Sequence, residues 1–156
     1  MEYAIESPVV SDVLPLKISG LMVRTRLLDE EKAETAKIGD MWQKFCNEDV
    51  VHKIVQRADQ LVYGAYNNYE NRDQSWFDAT AGVAVLNPDA SMHTVEIQGG
   101  KYLVFRARGV LPFVVIQTWQ EIYNYFKTAS FKRKFATDFE IYTSNNSIDV
   151  YVGIEE

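Results

Sequence analysis

In the run Asp138-Phe139-Glu140-Ile141-Tyr142 residue types alternate, and a strand sends alternate side chains to opposite faces. Phe139 and Ile141 then share one face, and Glu140 and Tyr142 share the other. If both faces are covered, Glu140 is a carboxylate set beside aromatic residues. Such an acid must be paired, protonated or waiting for a cation. By composition alone the commoner arrangement is a strand acid facing water, with Lys132 or Arg133 as its partner. Trp42 and Trp119 lie on apolar stripes of two expected helices, where a tryptophan more often packs than binds. Tyr66 and Tyr69 are three apart and should point to opposite faces of their strand, so only one can share a cleft with Glu140.

Other chemistries find little support. His52, His93 and Cys46 are the only nitrogen or sulfur ligands, with no zinc spacing, so no metal is expected. Cys46 and His52 lie on different sides of one helix and cannot form a nucleophile–base pair; a buried cysteine and a surface histidine are expected instead. Gly99-Gly100 is a bare pair that reads as a hairpin or bulge, not a phosphate loop, and no cofactor is expected. The 156 residues carry 16 basic and 22 acidic side chains, a formal −6, with no basic block, which argues against nucleic-acid binding. A lone cysteine allows no internal disulfide and suits a reducing cytoplasm. Neither a secretory signal nor a membrane span is expected, since the apolar stretch Val110 to Trp119 is too short to cross.

The elements that must hold these residues follow from period and punctuation. Leu16 to Arg26 reads as a strand. A helix with Asp29 as N-cap then carries Ile38, Trp42, Phe45 and Val50, and Gly39 within it suggests close packing or a kink. Leu61 to Tyr69 and Phe77 to Leu86 read as strands. Thr94 to Ile97 and Lys101 to Arg108 are strands again, and Leu111-Pro112 opens a helix with a stripe at Val115, Trp119, Ile122 and Phe126. Asp138 to Thr143 and Ile148 to Ile154 form a hairpin around Ser144-Asn145-Asn146-Ser147. The halves echo one another: Gly20 to Arg24 answers Lys101 to Arg106, Met41 to Phe45 answers Thr118 to Ile122, and Tyr66 answers Tyr142. That order gives two strand–helix–strand–strand units, about 16–86 and 94–154, in one domain spanning 1–156, with a cleft where they meet. Arg24 and Arg106 should occupy equivalent positions as surface charge pairs.

The order and spacing of these segments resemble the GyrI-like superfamily, the effector-binding domains of AraC- and MerR-type multidrug regulators and the stand-alone gyrase-inhibitory proteins. Ile18 to Arg24, Ile38 to Phe45, Tyr66 to Glu70, Gly82 to Val85, Gly100 to Phe105, Thr118 to Tyr123, Asp138 to Tyr142 and Ile148 to Val152 carry the likeness. It implies an α+β fold of tandem βαββ units in one curved antiparallel sheet, with two main helices and a central groove. In the regulators that groove takes bulky, often cationic, aromatic compounds against a glutamate. Glu140 falls on that position and Trp119 on the family's helix tryptophan, which reverses the odds for Glu140. Two departures stand out. The residues before Leu16 are too few for a helix-turn-helix, so no DNA-binding domain is expected, and Gly99 replaces a common proline.

The expected protein is therefore a bacterial, cytoplasmic, stand-alone binder or sensor of hydrophobic organic cations. Its expected site is Glu140, Trp119, Tyr142, Tyr66, Trp42 and Phe105. The resemblance also implies two alternatives. One is a cofactor-independent hydrolase of cyclopropane-type toxins using Trp119 and Glu140. The other is a protein-interaction module like the gyrase inhibitors; any protein partner is left open.

Overall fold

A computed structural model describes residues 2–156. The first unit is β3 (Leu16–Thr25), a single turn α1 (Leu27–Glu30), α2 (Ile38–Asn47), a second turn α3 (Val50–Lys53), β4 (Val62–Asn67) and β5 (Phe77–Val85). The second is β7 (Gly100–Gly109), α4 (Phe113–Tyr125), β8 (Arg133–Ser144) and β9 (Ser147–Ile154). Strands β1 (Tyr3–Ile5), β2 (Val9–Val13) and β6 (His93–Ile97) complete a nine-stranded antiparallel sheet. Its order, β1-β7-β9-β8-β4-β5-β3-β6 with β2 also on β7, runs the same way outward from the β8–β4 junction on both sides. The duplication expected from the sequence is present, and a pseudo-twofold axis passes between β4 and β8.

The leading strands are exchanged. Strand β2 precedes the first unit but pairs with β7 of the second, while β6 precedes the second but pairs with β3 of the first. Gly99-Gly100 is consequently not a hairpin turn, because β6 and β7 have different partners. Strands β3 and β7 are both ten residues long. Matched end to end, they set Arg24 against Arg108 and not Arg106, a two-residue slip from the sequence echo. Both Arg24 and Arg106 do pair with an acid of the next strand, Asp78 at 3.0 Å and Asp149 at 3.6 Å. With the arginines 42% and 44% exposed, these pairs add little stability.

Small residues let the centre close up. Every residue of β5 is buried, and Gly82 faces Gly20 across the β3–β5 ladder. A Cβ on Gly20 would meet the Ala81 carbonyl oxygen, and one on Gly82 the Ser19 carbonyl oxygen. Helix α2 buries Met41 and Phe45 over one core with Phe77, Ala79, Ala81 and Val83. Helix α4 buries Val114, Thr118 and Ile122 over the other, with Leu103, Phe105, Val150 and Val152. Phe45 and Ile122 are buried as the predicted stripes require, but Met41 and Thr118 take the buried places expected of their neighbours, and Trp42 and Trp119 flank the buried faces. A third core, around Tyr63, Tyr102 and Phe139, fills the other side of the sheet.

Local expectations fail where a cap or a left-handed residue intervenes. Asp29 is not the cap of the main helix. It lies inside α1, and the Glu30 side chain instead accepts the backbone N–H groups of Lys37 (2.9 Å) and Ile38 (3.2 Å) at the start of α2. Val50 belongs to α3, which Asp49 at φ 53° separates from α2. Gly39 has open space at its Cα and marks no close contact, and Cys46 is exposed, not buried. Among the described residues no helix is long and apolar enough to cross a membrane.

Candidate functional site

Glu140 lies at the pseudo-axis. In the first unit Gly20, Gly82 and Tyr63 are joined in register, as are Val104, Tyr151 and Phe139 in the second. The residue after Tyr63 is Gly64 and the residue after Phe139 is Glu140, so these two are counterparts. They are also direct partners across β4–β8. The axis thus runs between a glycine and a glutamate, and there is room for only one side chain. A Cβ on Gly64 would stand 2.5 Å from Glu140 Oε1 and 3.4 Å from the Trp42 ring. Gly64→Ala should displace the carboxylate and cost about 1–3 kcal/mol. An unchanged urea midpoint and unchanged near-ultraviolet dichroism would contradict that contact.

Around the lone acid the aromatics are symmetric. Tyr66 and its counterpart Tyr142 each donate a hydroxyl, to Oε2 at 2.8 Å and to Oε1 at 3.0 Å. Trp119 donates Nε1–H to Oε2 at 2.7 Å. Each helix tryptophan sets its ring edge-to-face against the other half's tyrosine. Trp42 lies 5.1 Å from Tyr142, and Trp119 lies 5.5 Å from Tyr66. The position of each tryptophan beside its helix's buried face is what lets it reach the seam between the two cores. All four rings are half-buried, whereas Glu140 is wholly buried. Phe105 is not in this cluster. It lies in the same sheet row but two strands away, buried beneath α4 against Tyr125 at 5.5 Å.

Burial raises the Glu140 carboxyl above its ordinary pKa, and the three donors only partly offset this. Tyr66 and Tyr142 are pushed well up by burial and by the neighbouring carboxylate, so they stay protonated as donors. No salt bridge reaches Glu140 among the described residues. What the arrangement offers chemically is one buried carboxyl group with no cationic side chain against it among the described residues, roofed by four aromatic rings. Among the described residues no group of acids, histidines or cysteines is arranged to hold a metal.

A second buried acid went unnoticed in the sequence. Asp138 shares the Glu140 face and is also wholly buried. It accepts Arg133 Nη2 at 2.7 Å, the Tyr69 hydroxyl at 2.6 Å and the Gly153 N–H at 2.8 Å. Arg133 therefore pairs with Asp138, not with Glu140. A bulge in β8, with Phe135 at φ 56°, turns Arg133 back toward it. Tyr69 reaches the same side as Tyr66 because Asn68, at φ 53°, breaks the alternation. The one available signal was the spacing of Asp138 and Glu140, two residues apart on one strand.

Three comparisons with known proteins bear on this arrangement. A family model described as the GyrI-like small molecule binding domain matches residues 12–154. The crystal structure of integron cassette protein VCH_CASS2, from the mobile metagenome of Vibrio cholerae, superposes with a TM-score of 0.89 at 33% identity, covering 99% of this chain and 100% of that one. The structure of SAV2435 bound to tetraphenylphosphonium superposes with a TM-score of 0.76 at 17% identity, over 96% of this chain and 94% of that one, a likeness of fold. No curated protein matches the chain.

Proposed function

The chain belongs to the GyrI-like small-molecule-binding domain family, and from that premise we propose that it binds bulky hydrophobic organic cations at the aromatic cluster around Glu140. The observation that carries this reading is the wholly buried carboxylate with three neutral donors and no cation. Trp42, Trp119, Tyr66 and Tyr142 would part to admit the ligand. Each well-placed ring contributes about 0.5–2 kcal/mol of cation–π attraction. The tetraphenylphosphonium held by SAV2435, which shares the fold, is of this ligand class.

Tetraphenylphosphonium and tetraphenylborate have nearly the same shape and opposite charge, and they separate charge recognition from apolar contact. Calorimetry and tryptophan quenching should report binding of the cation and little of the anion. Equal binding of both, or of neither, would defeat the reading. No observation favours the hydrolytic alternative for Trp119 and Glu140.

Binding should also be linked to pH. The free site holds the Glu140 pKa above the usual carboxylate range through burial, and an incoming cation lowers it. Tyr66 on β4, Tyr142 on β8 and Tyr123 on α4, the last pushed up to about 12 by burial, keep their protons throughout. Asp138 is held by Arg133. Affinity should therefore fall as pH drops through the free-site pKa of Glu140, with protons released on binding in that window. Titrations in buffers of different ionisation enthalpy count those protons. A count of zero across the acidic range, or one that survives in Glu140→Gln, would remove Glu140 from the linkage.

A further inference from the structure

Arg133 is a cation already seated in a cage built to the same recipe. Its guanidinium lies 4.3 Å from the centre of the Phe135 ring and 5.8 Å from that of Trp119, and it bonds the Asp138 carboxylate at 2.7 Å. Tyr69 completes this cage, donating to Asp138 and standing edge-to-face against Phe135 at 5.7 Å. The Arg133 side chain is only 5% exposed. Asp73 lies at 3.4 Å from Nη1, and Nε has no partner among the described residues. Around Glu140 stands the neighbouring cage, also of carboxylate and aromatic rings, and Trp119 serves both. Glu140 and Asp138 share one face of β8, which sets the two carboxylates about 7 Å apart along the strand.

We propose that Arg133 is a specificity-determining residue, filling the second of two adjoining cation cages so that the site accepts ligands with one positive charge and rejects those with two. The proposal rests on the reading of Glu140 as a cation site. A ligand cation entering beside Glu140 meets a neighbour that is already neutralised. A second ligand charge directed at Asp138 would meet the guanidinium and be repelled. Without Arg133, two buried carboxylates would face one ligand at a spacing that the nitrogens of a bipyridinium dication match.

The test uses N-methyl-4-phenylpyridinium and methyl viologen, flat cations of similar size carrying one and two charges. Affinities are measured by calorimetry on the full chain. The wild type should prefer the monocation. Arg133→Met should move the ratio of affinities toward the dication by about tenfold or more. Asp138→Asn, which keeps the guanidinium and removes its counter-charge, should weaken both ligands and the dication more. This second variant decides the matter if Arg133→Met does not fold. A ratio unmoved in Arg133→Met, or in Asp138→Asn where that variant alone folds, would reduce Arg133 to a structural ion pair. If the wild type fails to bind the monocation, or binds it equally well as Glu140→Gln, the reading of Glu140 falls first and this proposal falls with it.

Discussion

Glu140→Gln is expected to weaken tetraphenylphosphonium binding about ten- to hundredfold, because a charged contact in a dry site is replaced by a neutral one. Tetraphenylborate binding should be unchanged or improved. The same substitution should make the protein harder to unfold at neutral pH. Burial raises the Glu140 pKa in the folded state, so folding disfavours the ionised form. That penalty is absent below the pKa of the unfolded carboxyl and is fully present above that of the folded one. The variant escapes it. Melting curves should show a gain in Tm at neutral pH that shrinks as the medium becomes acidic. A loss of stability at neutral pH would mean that the three hydrogen bonds outweigh the desolvation of the charge.

Asp138→Ala should have the opposite character, a large loss of stability. Its carboxylate ties Arg133 of its own strand to Tyr69, in the loop after β4, and to the Gly153 backbone of β9. Removing it leaves a buried guanidinium with only Asp73 at 3.4 Å. Breaking a buried ion pair from one side costs about 3–5 kcal/mol. For a chain of this size that is about 10 °C or more in Tm. Arg133→Met combined with Asp138→Ala should recover part of the loss, since no charge is then stranded. A double variant as unstable as the sum of its parts would show that the pair does not act as a unit.

Much of this was legible in the residues. Alternation through 138–142 set Glu140 and Tyr142 on one face, and the repeat brought Tyr66 to Tyr142 and Trp42 to Trp119. These features are periodic, and period survives folding. What escaped is aperiodic. The bulge that folds Arg133 back onto Asp138 depends on Phe135 in a left-handed conformation, for which a phenylalanine gives no sign. Asn68 in the same conformation moves Tyr69 to the side that simple alternation denies it. Strands β1 and β2 lie at the sheet edge, where Val9 and Val10 are both exposed and apolar and polar residue types do not alternate. Phe105 had the right face but the wrong strand, since face parity carries no information about lateral distance.

The Gly64–Glu140 pair has a consequence for ancestry. A homodimer of two identical halves must place residues on its twofold axis in equal pairs. Two glutamates there would press like charges together, and two glycines would offer no charge at all. Neither arrangement holds a single buried carboxylate. Once both halves lie in one chain, each copy mutates independently, and an odd count on the axis becomes possible. One copy keeps glycine to make room, and the other supplies the acid that fills it. The surrounding tyrosines and tryptophans keep the twofold symmetry that the axial pair breaks. Fusion of the halves is thus what permits a single buried carboxyl group at the centre of a twofold frame.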